Sequence, residues 1–210
     1  MTTPGSARWH EELDRHCEWF FGPRSHVFGE IVPSSEFNIS ICPHPATPER
    51  SYTTLRTAGV SDDPMHVPRG REPERRCELL TYLPADWELE QQWWPGALLR
   101  MLGQFVHEDE TWFEPGHTVL VAEPDETYAE HTLVSAVLLR APAAEDPRFD
   151  TLVIDGTPCR FLWAFAITQA ECDLKLEHGS DALLALIGEH DLSHVVDPGR
   201  RCLVTGRLPT

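Results

Sequence analysis

The sequence predicts an α+β fold: a mixed, largely antiparallel sheet packed by several helices in a single domain. Three observations predict it. Helical periodicities and strand-like segments follow one another as helix, strands, helix, strands, two helices, strand. That order has no regular β-α-β alternation, the signature of a parallel sheet, and no internal repeat. No linker-like change of composition divides the 210 residues, a length that one core can serve while burying roughly 70% of the unfolded surface.

The elements follow in order. Ser6 to Phe21 is the clearest helix, with Trp9, Leu13, Cys17, Phe20 and Phe21 at helical spacing and Gly22-Pro23 stopping it. Phe37-Asn38-Ile39-Ser40-Ile41 alternates strictly, so Phe37, Ile39 and Ile41 share one face of a strand that Pro43-His44-Pro45 ends. Tyr52 to Thr57 is a second strand, placed to pair with the first. Ala58 to Arg76 is a polar loop rich in Gly and Pro, longer than most connections and of the kind that often carries function. Glu78 to Leu83 is a buried strand closed by Pro84. Trp94 to Val106 is a helix with Pro95 in the first turn, where no N–H is needed, and Leu98, Leu99, Leu102, Phe105 and Val106 as its apolar stripe.

Thr111 to Ala122 and Leu133 to Arg140 read as strands divided by the acidic turn Glu123-Pro124-Asp125-Glu126. Thr151 to Ile154 and Arg160 to Ile167 flank the hairpin turn Asp155-Gly156-Thr157-Pro158. Thr168-Gln169-Ala170-Glu171 fits a capping box, whose loss costs typically ~1 kcal/mol. The helix it opens should run to His178 and end at Gly179. Ser180 then caps a further helix carrying Leu183, Leu184, Leu186 and Ile187, and a strand near Arg201 to Thr205 closes the fold.

Composition excludes several functions. With 17 Lys+Arg against 34 Asp+Glu the formal charge is 17 − 34 = −17. This argues against a binder of nucleic-acid backbones, whose affinity comes from basic side chains, and fits solubility and a basic partner. A hydrophobic fraction of 41%, with seven Trp and nine Phe, is too rich for a disordered chain. The sixteen Arg against one Lys, Lys175, are a coding bias of little functional weight. Met1 to Leu13 lacks the pattern of a secretory signal, and the longest apolar run, Phe161 to Ile167, is far short of the ~20 residues of a membrane helix. Six cysteines without a C-x-x-C pair read as reduced thiols, so a cytoplasmic location is expected.

No specific catalytic motif is present: no G-x-G-x-x-G, P-loop, G-x-S-x-G or H-E-x-x-H. His190 and His194 are four apart, as zinc ligands on one helix face would be. The glutamate expected beside the first is missing, however, and Asp197-Pro198-Gly199 marks a helix end. A solvated terminus is the simpler reading. The carboxylates at Glu108 to Glu110 and Glu123 to Glu130 read as a solvated face rather than an acid/base pair. Trp87, Trp93 and Trp94 read as packing residues first and interface anchors second. No cofactor and no metal are expected.

From Tyr52-Thr53-Thr54-Leu55-Arg56-Thr57-Ala58-Gly59-Val60-Ser61-Asp62-Asp63-Pro64-Met65 onward the chain resembles the suppressor of fused-like domain family. That stretch is a strand entering a Thr-x-Gly-x-Ser-Asp loop that ends in Pro-Met. Glu78-Leu79 to Leu83-Pro84 is similar to the family's buried strand, and Trp94-Pro95 with its leucines to the central helix. Gly116-His117-Thr118-Val119, Phe161 to Glu171, Val196-Asp197 and Arg200-Arg201 follow in the expected order. The resemblance spans about Phe37 to Arg201.

The resemblance implies protein binding without catalysis. Animal members sequester a transcription factor by capturing an extended peptide as an added strand. Single-domain bacterial members resemble immunity proteins that neutralise a cognate toxin. In the animal relatives a Tyr at the end of the central helix and an Asp after the later Gly face the peptide. The matching positions here are Phe105, which lacks the hydroxyl, and His117, which replaces an acceptor with a group titrating near neutral pH. Ser61, Asp62, Asp63 and Met65 of the loop are further candidates for partner contact; local backbone hydrogen bonding is the competing role for the two acids and the serine, and a core place on the helix stripe is the competing role for Phe105. The expected partner is another protein, basic in character, rather than nucleic acid or membrane. A metal-dependent enzyme using His117, His190 and His194 is the distant alternative.

Overall fold

The computed structural model describes residues 2–29, 37–123, 126–142 and 146–209. Its first helix, α1 (Ala7–Phe21), begins where the Ser6 hydroxyl accepts from the Trp9 N–H at 3.3 Å, and ends where Gly22 turns left-handed at φ +76°. Trp9, Leu13, Cys17 and Phe21 form its buried stripe. Strands β1 (Ser40–His44), β2 (Tyr52–Ala58) and β3 (Cys77–Pro84) follow, then helix α2 (Trp94–Glu108). The chain continues through β4 (Thr118–Leu120), β5 (Val134–Arg140), β6 (Thr151–Ile154) and β7 (Thr157–Thr168), and helices α3 (Gln169–His178) and α4 (Ser180–Glu189) close the series.

The strands form one seven-stranded sheet in the order β1-β2-β3-β7-β5-β4, with β6 pairing β7. Among the strands of the described residues, β3 and β7 run parallel, in register Cys77↔Arg160 to Leu80↔Trp163, and the other strand pairs are antiparallel. The two-residue turn Asp155-Gly156 joins β6 to β7 with both residues at positive φ (47° and 83°), the conformation that matches the strand twist.

Alternation along the strands sends side chains into two cores. On one face Leu80, Tyr82, Phe161, Trp163, Phe165 and Ile167 meet Trp9, Leu13 and Phe21 of α1 with Cys172, Leu183 and Ile187 of α3 and α4. On the other, Leu55, Leu79, Leu83, Val137, Leu139 and Leu162 meet Leu98, Leu99, Leu102 and Val106 of α2. Each such side chain, fully buried, contributes roughly 1.5–3 kcal/mol. Helix α2 lies so close that a Cβ on Gly103 would stand 2.6 Å from Val60 Cγ2 and 2.7 Å from Ile39 Cδ1.

The expected α+β class and most elements are present; five details differ. The first strand lies at Ser40–His44 rather than Phe37 to Ile41, because Pro43 and His44 pair with Leu55 and Thr54. Of Thr111 to Ala122 only Thr118–Leu120 is strand, since Pro115 and the left-handed Gly116 (φ +94°) break the approach. The hairpin turn is two residues, not four. Ser180 makes no cap: Gly179 occupies the N-cap position of α4 and no side chain bonds to the helix start. Arg201 to Thr205 is no strand, because the chain folds back on itself there through Cys202 N–H to Arg207 O (2.9 Å) and Gly206 N–H to Cys202 O (2.9 Å). Pro124 and Asp125 of the acidic turn lie outside the described residues.

Candidate functional site

Two of the regions singled out by sequence have opposite geometries. The first is the turn after β2. Gly59 adopts φ +120°, and a Cβ there would come within 2.3 Å of the Asn38 carbonyl oxygen. The turn wraps around the carboxylate of Glu78, which is fully buried on β3. Glu78 accepts from the Thr57 hydroxyl (2.5 Å), the Ser61 hydroxyl (2.6 Å) and the N–H groups of Gly59 (3.2 Å) and Ser61 (3.1 Å). Trp9 Nε1–H donates to Ser61 Oγ at 3.0 Å. Arg76 donates to the carbonyls of Ser61 (2.6 Å) and Asp62 (2.8 Å), and His107 Nε2 lies 2.9 Å from the Val60 carbonyl oxygen.

This turn places the loop candidates. Ser61 is fully buried and committed to Glu78. Met65 is buried, with its sulfur accepting from the Phe113 N–H (3.4 Å) and the Cys77 thiol (3.6 Å). Asp62 pairs with His10 (3.0 Å), an interaction that raises the imidazole pKa against the opposing effect of burial. Only Asp63 is exposed. Ser61 and Met65 thus point into the fold, where local hydrogen bonding and packing occupy them. Glu78, which organises the turn, enters the sequence reading only as part of a buried strand; the signal for its role is a lone carboxylate in an otherwise uncharged strand.

The second region is open. β4 is an edge strand: β5 covers one side of it, and among the described residues no strand pairs with the other. His117 O accepts from the Leu139 N–H (2.8 Å), and the Val121 N–H donates to Ser135 O (2.9 Å). In an antiparallel ladder such bonds alternate, so the N–H and C=O of Thr118 and Leu120 point away from β5. Beside this edge runs a groove of about 570 Å³ lined by Phe105, Trp112, His117, Leu120, Lys175 and Leu176 among others.

Phe105 and His117, the two positions carried by the family resemblance, therefore meet in one groove. Phe105 is half-buried and stacks near Phe113 (ring centroids 6.3 Å apart, planes at 23°). His117 stands 3.1 Å from the Glu114 carboxylate, and its ring meets Trp112 edge-on at 4.8 Å. Arg71 lies over the other partner of that pair, 5.1 Å from the Trp112 ring, and is paired to Glu74 and Glu114. Lys175 reaches Thr118 Oγ1 at 3.3 Å. Leu120 and Leu176, 51% and 64% exposed, both line this groove. Thr118, Leu120, Trp112, Lys175 and Leu176 were missed as site residues, because only the sheet order reveals which strand is the edge.

The remaining candidates lie apart from this groove. His190 and His194 sit beyond the end of α4, and among the described residues no group of three or more His, Cys, Asp or Glu is arranged to hold a metal. Trp87, Trp93 and Trp94 pack against the α2 core. The carboxylate run that starts at Glu108 lies at the far end of α2, fourteen residues from its first residue, Trp94, about 21 Å at helical rise. No described helix is long and apolar enough to cross a membrane. All six cysteines are buried and free of disulfides.

The sequence pattern of the Suppressor of fused protein (SUFU) family matches residues 34–201. None of the curated proteins matches the sequence. Among solved structures, a SUFU homolog from Neisseria gonorrhoeae superposes with a TM-score of 0.69 at 17% identity, covering 94% of this chain and 98% of that one. A chain of the Sufu-Fu complex superposes with a TM-score of 0.65 at 13% identity, covering 97% and 93%. At such identities the likeness establishes the α+β fold. The family match spans most of the sequence, and the chain belongs to the suppressor of fused family.

Proposed function

We propose that this member of the suppressor of fused family is a non-enzymatic protein-binding domain, acting in the cytoplasm as an immunity protein that neutralises a cognate toxin by stoichiometric binding. One observation carries the binding reading: the outward N–H and C=O groups of Thr118 and Leu120 lie beside an aromatic groove. Main-chain groups on an open edge supply affinity to an added strand, and adjoining pockets supply specificity. A related fold appears in a complex named for its partner, Sufu-Fu. The acidic balance of −17 favours a basic partner, since complementary charge accelerates encounter. Free buried thiols are compatible with a reducing compartment. The same edge would serve a second reading, an intracellular regulator that captures an extended peptide, and the identity of the partner separates the two.

The test asks first whether the gene follows one for a large secreted protein with a C-terminal toxin-like domain; an isolated gene would count against the immunity role, and where such a domain is encoded it is mixed with the chain and binding is measured by calorimetry. A one-to-one complex is expected, with Leu120→Pro weakening it at least a hundredfold. Proline is tolerated on an edge strand but cannot donate outward. Unchanged affinity in a folded Leu120→Pro would sink the edge-strand mechanism. Toxicity undiminished by a saturating amount of the chain would sink the immunity role.

A further inference from the structure

The β4 groove differs in charge from the rest of the chain. The sequence carries 34 Asp and Glu against 17 Lys and Arg, yet among the described residues no carboxylate lines the groove. Its imidazole, His117, already stands beside Glu114 at 3.1 Å. Its ammonium, Lys175, lies half-buried in the second turn of α3. The Lys175 Nζ donates to the Thr118 hydroxyl at 3.3 Å, and no carboxylate of a described residue pairs with it. An ammonium has three hydrogens to donate, of which Thr118 takes one.

Alternation along β4 decides which side of an added strand this ammonium would read. Thr118 turns its side chain toward α3 and Lys175, whereas Val119 packs into the core under α2. Leu120 returns to the α3 face. The outward N–H and C=O of Thr118 would bond the residue opposite, whose side chain then stands on the α3 face, roughly 5 Å from Thr118 at Cβ and beside Lys175. The neighbours of that residue in the added strand point to the other face, where Phe105 and Trp112 form the α2 side of the groove. A strand settling there takes water from the ammonium. An uncharged side chain would leave that loss uncompensated, and a basic one would add like-charge repulsion. A carboxylate offsets it.

We infer that the segment captured at β4 carries an aspartate or glutamate opposite Thr118, flanked in sequence by apolar residues, and that Lys175 sets the register by pairing with that carboxylate. The inference rests on the edge-strand reading above and adds the chemistry of the captured segment to it. A slip of one residue would carry the carboxylate to the face of Phe105 and Trp112, so one ammonium suffices to align a segment on a strand as short as β4. The requirement is local. A partner that is basic as a whole is drawn in by the overall charge of −17, which acts at longer range, and is aligned by one acid at contact.

The test pans a phage-displayed library of random dodecapeptides on the unaltered chain and keeps the binders that Leu120→Pro abolishes. These should align on one acidic position with apolar residues on either side of it. Each, resynthesised, should bind at least threefold tighter than its counterpart with the acid replaced by the corresponding amide. Lys175→Met, which keeps the aliphatic stem, should remove that preference, and Lys175→Glu should reverse it in favour of a lysine at the same position. Lys175→Gln repeats the measurement if Lys175→Met fails to fold. Edge-dependent binders without a shared acid, or a preference unmoved by these variants, would overturn the carboxylate assignment and leave the edge-strand reading standing. A library that yields no binder sensitive to Leu120→Pro would sink both.

Discussion

The turn around Glu78 and the groove beside β4 are built from similar materials and finished in opposite ways. Both combine aromatic rings, a histidine, an arginine and a carboxylate. At Glu78 both carboxylate oxygens are engaged, with four donors converging on them from the adjoining turn. At β4 the backbone of Thr118 and Leu120 faces outward, and two leucines stand in solvent. A closed polar cluster specifies a conformation, because every member left unpaired would be costly. An open one is available to something else. The loop with the most distinctive sequence thus belongs to the architecture, and the proposed recognition surface lies on a short strand with little sequence signature.

That contrast can be broken from its closed side first. Glu78→Ala should leave the Gly59 and Ser61 amides and two hydroxyls without their acceptor, costing at least roughly 1–3 kcal/mol in denaturant unfolding, the range for one buried donor left unsatisfied. A loss below about 1 kcal/mol would mean the turn holds without its carboxylate. Next in size is a pH effect at the neighbouring buried guanidinium. Arg56, paired with Asp14, donates to His44 Nε2 at 3.1 Å; burial and the Arg56 charge push the His44 pKa down from 6.5 to about 4. The unfolded chain therefore takes up a proton that the folded chain refuses between those values. This stability is fully present above pH 6.5 and is lost as pH falls toward 4, on the order of 3 kcal/mol. In His44→Gln, unfolding measured across this window should lose that much of its slope.

Gly59→Ala, forced against the Asn38 carbonyl at positive φ, should cost roughly 1–3 kcal/mol, read as a lowered melting temperature. The open side should answer differently. His117→Ala and Leu120→Glu are expected to change stability by no more than about 0.5 kcal/mol while weakening the partner complex at least tenfold. Stability and binding moving together in these variants would erase the distinction between the two regions.

Much of this molecule was legible in its sequence, for identifiable reasons. The α1 and α2 stripes, the Thr168–Glu171 capping box and the Asp155-Gly156 turn are local patterns, and local physics decides them. The capping box also shows what escapes. Glu171 bonds back to the Thr168 N–H (3.0 Å), as the motif implies, but it also holds Arg200 and the Leu203 N–H (2.9 Å), some thirty residues on. Burial works against its charge, and Arg200 with these N–H groups outweighs that, lowering its pKa. The segment from Arg201 to Thr205 has strand-like composition, yet this anchorage and its own turn remove it from the sheet. The site followed the same rule. Phe105 and His117 came from family resemblance, whereas their neighbours across β4 and α3 depend on a strand order set by pairings distant in sequence.

The position of Lys175 has a practical corollary. It is the chain's sole lysine, and it lines the β4 groove. Amine-directed chemistry therefore has a single side-chain target, seated at the candidate interface. A fluorophore or cross-linker attached there would report on that surface alone, and ubiquitin-type or acetyl modification of a lysine would fall nowhere else.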